Sequence, residues 1–342
     1  MKLLVVTQVV DENDRFLGFF HRWLSEMART FEQVEVICLY EGTHSLPGNV
    51  HIYSLGKEEG RRGKMAYARS FYKRAWKARR DYDAVFVHMN EEYVLLGGLL
   101  WRLLGKPVYL WRNHYAGTHK THIAAFLSKK VFYTSNHSYT ARFKNAVRMP
   151  VGVDTTRFES VADSARAQNS ILFLARMSPS KRPELLLEAL VILKQRGVSF
   201  TASFVGNPLK EDRTYYEGLQ HFVQEKELGS YVQFAEGMPH KDTPEVFGAH
   251  HIFVNCSPSG MLDKTLFEAA VSGCAVFASS EDWQEIVHPA EPYFADADSL
   301  ADLLEQACTG DSEDLISAGK LLSQTHGLSY LIERIYEECV RK

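Results

Sequence analysis

The chain has 342 residues, 45% hydrophobic and 24% charged, which is enough apolar material for about two domains of ordinary size and argues against global disorder. Its net charge of −3 excludes a uniformly basic protein, but Met1 to Thr155 carry 23 Lys+Arg against 14 Asp+Glu, a balance of +9, and the remainder carries 16 against 28, or −12. A basic first half is suited to face an anionic partner, such as a membrane surface or a phosphorylated acceptor.

The first predicted strand is 2–9, inside MKLLVVTQVVDEN; one Lys and a short apolar run meeting acids by position 11 read as a buried strand, not a secretory leader. A helix follows over 17–30, with Phe20, Trp23, Leu24 and Met27 on one face. Further strands are predicted at 34–39, 84–88, 107–111 and 130–134. Alternation of strands with helical patterns is the mark of α/β units around parallel sheets. The longest apolar candidate, 95–104, is broken by Arg102 and falls short of the ~20 residues a membrane span requires. Pro150 and Gly152 then interrupt the periodicity. The alternation restarts with strands at 170–175, 200–205, 232–235, 251–255 and 275–278. Leu328, Leu331, Ile332, Ile335, Tyr336 and Cys339 give a last amphipathic helix that needs an apolar surface and is expected to dock back across the junction. The expected domains are therefore 1–155, 156–325 and a terminal helix over 326–342.

Five scattered cysteines (Cys38, Cys256, Cys274, Cys308, Cys339) form no CxxC pair, and read as reduced, mostly buried thiols of a cytoplasmic protein.

Open parallel sheets bind ligands outside the carboxyl ends of their strands, so the loops after strands are where chemistry is sought. In the loop Ala175–Pro183, Arg176 ends a strand, Lys181 lies five residues on, and Pro183 suits the first turn of a helix. Two cations beside a helix N-terminus make an anion site suited to a diphosphate. The plain alternative is solvated loop charges, with Arg176 paired to a surface carboxylate. A second loop runs from Asn255 through Ser257-Pro258-Ser259-Gly260 into a helix that ends at Gly273, a natural left-handed cap. Glu268 stands there as a lone acid among Phe267, Ala269, Ala270 and Val271. Its carboxylate can accept both hydroxyls of a ribose, or it can pair with Lys264 one turn earlier.

Arg176-x4-Lys181 followed by PELLLEAL, then SPSG and LFEAAVSGCAVFAS, with MPVGVDTTRF at the junction, resemble family 4 of the retaining glycosyltransferases over most of the chain. The resemblance implies the GT-B fold, two Rossmann-like doubly wound domains facing a cleft, with a terminal helix crossing back to the first. It implies transfer of a sugar from a nucleotide-diphosphate donor to an acceptor hydroxyl, with retention, no metal and no other cofactor. Arg176 and Lys181 would grip the donor diphosphate, and Glu268, as the second Glu of an E-x7-E motif, would bind the ribose. Gly260, Met261, Leu262 and Asp263 would line the donor. Gly18 resembles the N-terminal glycine loop, and His114 the histidine facing the transferred sugar, with Arg112 and Asn113 beside it on the acceptor side. The first Glu of E-x7-E falls on Gly260 here, and Asp263 is the nearest acid that could stand in for it.

His88 ends a strand and is either an acceptor-side residue or a structural one. Asp81-Tyr82-Asp83 and Asp296-Ala297-Asp298 match a D-x-D metal pattern, but the first precedes a strand and the second suits a helix cap, so no metal is assigned. From Arg61 to Arg80 there are nine Lys/Arg and no acid, with apolar residues at helical spacing. That is either a basic amphipathic helix for an anionic membrane, making the protein peripheral at the inner face, or a domain helix with solvated charges. No nucleic-acid, GxGxxG, P-loop or GxSxG motif is present. The expected partners are a nucleotide sugar and a glycan or glycolipid acceptor. The alternatives are a sugar-nucleotide epimerase of the same build and a non-catalytic nucleotide-sugar-binding protein, which the departure at Gly260 makes possible.

Overall fold

The computed structural model describes residues 1–60, 63–162, 164–260, 262–287, 293–310 and 318–341. It divides into two compact units: Met1–Gly152 with Pro239–Lys241 and Leu328–Lys342, and Val153–Met238 with Asp242–Gly327.

In the first unit the elements run β1 (Lys2–Val10), α1 (Phe19–Thr30), β2 (Gln33–Glu41), β3 (Val50–Ser54), α2 (Lys64–Lys77), β4 (Ala84–His88), α3 (Glu91–Leu103), β5 (Val108–Trp111), α4 (His119–Leu127), β6 (Lys130–Tyr133) and β7 (Ala146–Arg148). All pairings are parallel, in the order β3-β2-β1-β4-β5-β6-β7. The centre of β1 is apolar on both faces because both are covered. Leu3 and Val5 face α1 and the terminal helix, while Leu4 and Val6, pleated the other way, face the layer of Phe71, Val94 and Ala124 contributed by α2, α3 and α4.

The second unit holds α5 (Thr155–Glu159), β8 (Ala167–Leu174), α6 (Pro183–Gln195), β9 (Thr201–Val205), α7 (Arg213–Glu225), β10 (Val232–Ala235), α8 (Thr243–Ala249), β11 (His250–Asn255), α9 (Lys264–Val271), β12 (Ala275–Ala278), α10 (Glu281–Val287), α11 (Ala297–Thr309) and α12 (Ala318–His326). Its sheet is again parallel, β10-β9-β8-β11-β12. Leu186, Leu190, Leu300 and Leu304 pack on Ile171, Phe173 and Val254 to form its core. The terminal helix α13 (Leu328–Val340) belongs to the first unit, where Leu331, Ile332 and Ile335 join the cluster of Phe20, Trp23 and Met27 on α1.

Strands β3 and β7, for which no expectation was drawn, are short and half-buried at the two edges of the sheet, so they lack the apolar run that marks a central strand. The five cysteines are free, and all but Cys308 are buried.

Candidate functional site

In both sheets the strand order reverses once, between β1 and β4 and between β8 and β11. The loops leaving the paired strands part there, and the crevice they leave is where doubly wound sheets bind ligands.

In the second unit, β8 ends at Leu174 and the chain passes Arg176 into a one-turn 3-10 segment, Pro179–Lys181. Arg182 then takes a left-handed conformation, φ +51°, and Pro183 opens α6. A non-glycine residue held in that region carries backbone strain of the kind that gathers at functional loops. The neighbouring strand β11 ends at Asn255 and leads through Ser257 and Gly260 to Asp263, the residue before α9. Lys181 reaches across the switch point: its Nζ lies 2.5 and 2.7 Å from the two carboxylate oxygens of Asp263 and 3.3 Å from Ser257 Oγ.

Asp263 also accepts hydrogen bonds from Asn255 Nδ2 at 3.0 Å and Ser257 Oγ at 2.5 Å. Three of these four contacts fall on Oδ2, while Oδ1 takes only the Lys181 ammonium. Burial alone would raise the Asp263 carboxyl, but the Lys181 charge with the hydrogen bonds of Asn255, Lys181 and Ser257 outweighs it and holds the group below the ordinary carboxylate value. Asp263 is therefore the counter-ion of Lys181, with Oδ2 fully engaged and Oδ1 held by the ammonium.

Arg176 stands on the same loop as Lys181, and its buried Nε meets no hydrogen-bond acceptor among the described residues. A buried donor left unmatched costs free energy unless a ligand completes it. Glu268 lies on α9, 2% exposed. One turn before it, half-buried Lys264 has its pKa pushed down to about 8 by burial, against the opposing pull of Glu268 and Asp154. Glu268 and Asp154 thus set negative charge near the Lys264 ammonium, on the helix that carries Glu268. Gly260 has φ +91°, and its N–H donates to the carboxylate of the fully buried Asp282 at 2.7 Å. Leu262 is buried, and Met261 lies outside the described residues.

In the first unit, Gly18 precedes α1, and a Cβ there would stand 2.4 Å from the Asp14 carbonyl oxygen, so only glycine lets this loop fold so closely. His88 ends β4 but is 2% exposed, stacked on Phe20 at 3.9 Å with Nδ1 3.3 Å from Thr7 Oγ1. That is the environment of a structural histidine. Arg112 Nε lies 2.8 Å from Glu91, and its Nη2 donates to the Ala116 carbonyl. Asn113 Oδ1 accepts from the backbone N–H of Thr134 and Ser135, tying the loop after β5 to the end of β6. His114 is exposed and stacks on Tyr115 at 4.5 Å. The His114 Nδ1 lies 3.0 Å from the Ala116 N–H and 3.3 Å from the Ala116 carbonyl oxygen, which ties the ring to its own loop. Asp296 caps α11 through Ser299 and Asp83 accepts from Lys2 N, so one carboxylate of each D-x-D pattern serves the fold.

Asn255 and Ser257, which the sequence places in this loop without a role, hold Asp263, and Asp282, which no motif marks, holds the Gly260 N–H. Asp282 lies in the first turn of the helix after β12, where the rule that reactive groups follow strands would have directed attention.

The family model described as "Glycosyl transferases group 1" matches residues 154–320, nearly the whole of the second unit. Among solved structures, HepE of Anabaena, in complex with UDP and glucose, is 18% identical with a TM-score of 0.77, covering 99% of each chain. A glycosyltransferase from Rickettsia africae is 15% identical, TM-score 0.74, over 100% of this chain and 99% of that one. Sucrose-phosphate synthase of Thermosynechococcus elongatus is 13% identical, TM-score 0.74, over 99% of each. A search of curated protein sequences returns no match. The fold is GT-B, and the glycosyltransferase resemblance read from the motifs is met by the family match over the second unit.

Proposed function

We propose that the chain is a retaining glycosyltransferase that moves a sugar from a nucleotide-diphosphate donor to a hydroxyl of a glycan or glycolipid acceptor. The observation that carries this reading is the loop after β8. It sets Lys181 and the unmatched Nε of Arg176 at the switch point of the unit that matches the glycosyltransferase family model.

In this scheme the bond between C1 and the phosphate oxygen breaks, and its electron pair leaves on the diphosphate. The acceptor oxygen bonds to C1 on the same face, and its proton passes to the departing phosphate oxygen. Charge accumulates on the leaving group, and preorganised cations stabilise it more than they stabilise the ground state. Arg176 and Lys181 supply those cations, so the scheme calls for neither a metal nor a protein nucleophile. Glu268 orients the ribose, and the exposed His114 ring hydrogen-bonds a sugar hydroxyl. The five free cysteines support a reducing, cytoplasmic setting.

Gly260 in place of an acid, with Asp263 committed to Lys181, favours one second reading, a nucleotide-sugar binder that performs no transfer. A thermal-shift screen of nucleoside diphosphates and their sugars, with UDP-glucose first because HepE is in complex with UDP and glucose, tests both. A ligand at a hundred times its Kd stabilises by about 2.7 kcal/mol. A response to a nucleotide followed by acceptor-dependent product establishes transfer; a response with no product across an acceptor panel leaves the binder. If no nucleotide raises the unfolding midpoint, both readings fail.

A further inference from the structure

Helices α2, α3 and α4 lie side by side over one face of the first sheet. Phe71 and Ala75 of α2, which the sequence placed on the apolar face of a basic helix, are buried there with Trp101 and Ala124. This part of the helix behaves as an ordinary domain helix. The outward faces are not ordinary. Met65 and Trp76 on α2 are 84% and 52% exposed, Leu99 and Leu103 on α3 64% and 87%, and Ile123 and Phe126 on α4 52% and 75%.

The three helices adjoin: the Tyr72 hydroxyl donates to the Leu96 carbonyl, and the Arg102 guanidinium sits 5.7 Å over the Phe126 ring. Large apolar side chains scattered singly need no explanation, but six on adjoining helices form a patch of the kind that marks an interaction surface.

The charge around the patch is predominantly positive. Exposed Lys64, Arg69, Lys73 and Lys77 line α2, Arg102 stands on α3 and Lys120 on α4. No acid occurs from residue 93 to residue 153, a stretch with nine Lys/Arg. The acids between α2 and that stretch are Asp81, Asp83, Glu91 and Glu92, with Glu91 buried.

We propose that this face docks on an anionic lipid bilayer, with Leu103 and Phe126 entering the boundary between headgroups and acyl chains and the cations of α2 and α4 at the level of the phosphates. The inference rests on this surface alone and does not depend on the chemistry assigned to the second unit. A second copy of the chain is disfavoured as occupant, because a symmetric pairing would set two identical cationic rims against each other. A nucleic-acid backbone would use the cations but would leave Leu103 and Leu99 without a role. A bilayer uses both, since apolar area and attraction to anionic headgroups add.

The test is flotation of the full chain with vesicles of phosphatidylcholine alone and of phosphatidylcholine with phosphatidylglycerol. The expected result is binding to the anionic vesicles only, weakened by salt. Lys73→Ala with Lys77→Ala should lower the partition about thirtyfold, each cation near the surface contributing a factor of about five. Leu103→Asp with Phe126→Asp should abolish binding at every lipid composition while leaving the unfolding midpoint unchanged, both positions being exposed. Flotation that survives Leu103→Asp with Phe126→Asp, no flotation with anionic vesicles, competition by RNA, or a dimer that these substitutions dissociate would each overturn the proposal. Because the substituted residues are remote from α6 and α9 in sequence and unit, the nucleotide thermal shift reads the transfer hypothesis separately.

Discussion

Replacing Lys181 by alanine should separate a structural effect from a chemical one. The side chains of Lys181 and Asp263 are 13% and 17% exposed, so their pair lies between two regimes. Exposed pairs contribute about 0.2–1 kcal/mol, and breaking a fully buried pair costs about 3–5. Asp263 keeps Ser257 and Asn255 when the ammonium is removed, which favours the lower part of that interval. A loss of about 2 kcal/mol follows. For a unit of this size it lowers the unfolding midpoint by roughly 4–8 °C.

The chemical effect is larger. Losing one preorganised donor to a developing anion costs about 2.7–4 kcal/mol, or 10²–10³ in turnover. Lys181→Met combined with Asp263→Asn distinguishes the two, because it replaces an ion pair by a neutral pair and leaves no orphaned charge. Its unfolding midpoint should return close to that of the wild type, while transfer stays depressed. Thermal unfolding by circular dichroism and product formation from a nucleotide sugar read the two quantities. Near-wild-type turnover in Lys181→Ala, or recovery of transfer in the double variant, would refute the assignment of Lys181 to the diphosphate.

Glu268→Gln keeps one acceptor but removes the charge, so affinity for a nucleoside diphosphate should fall about tenfold to a hundredfold, the range of hydrogen bonds to charged groups. The same diphosphate lacking the ribose 2′-hydroxyl should bind the wild type more weakly yet distinguish little in the variant; equal discrimination by both would remove Glu268 from the ribose. Lys264 titrates near 8 in the folded chain against an ordinary 10.5, so the unfolded chain holds more protons between those values and stability rises as pH climbs through them. Relative to Lys264→Met, the wild type should therefore gain stability from about pH 8 to 10.5, by at most ~3 kcal/mol, and a flat difference in chemical denaturation would contradict the burial of that ammonium.

The sequence displayed those features whose causes are local. The apolar run of β1 announces a strand covered on both faces, and Leu328, Leu331, Ile332 and Ile335 announce a helix needing a partner, which turns out to be α1. The edge strands β3 and β7 bury too little to leave such a trace. His88 is a polar residue at a strand end, and only the stacked ring of Phe20, 68 positions earlier, shows it to be packed in the core. Asp263 is the sharpest case. In the sequence it is simply an acid three residues beyond Gly260, the natural substitute for a missing carboxylate. Its real partner lies 82 positions away, and the two meet because β8 and β11 are neighbours across the switch point, a relation that no local spacing encodes.

That contact has a consequence for donor binding. A partly buried ammonium without a counter-ion is costly, and Asp263 offsets the cost while the donor is away. A diphosphate reaching Lys181 must then share the ammonium with a carboxylate that already accepts from it at 2.5 and 2.7 Å. Neutralising Asp263 by substitution to Asn removes the competitor and a nearby negative charge, and the affinity for a nucleoside diphosphate should rise about tenfold, equivalent to ~1.4 kcal/mol of relieved competition. The folded protein should at the same time lose the stability that the ionised carboxylate contributes. The Asp263 pKa lies below its unfolded value, so that contribution is complete above about pH 4 and fades as pH falls through the folded pKa. The wild type and Asp263→Asn should therefore differ most in unfolding midpoint near neutrality and converge in acid. If calorimetry instead finds diphosphate binding weakened in Asp263→Asn, the carboxylate positions the lysine for the donor and does not compete with it.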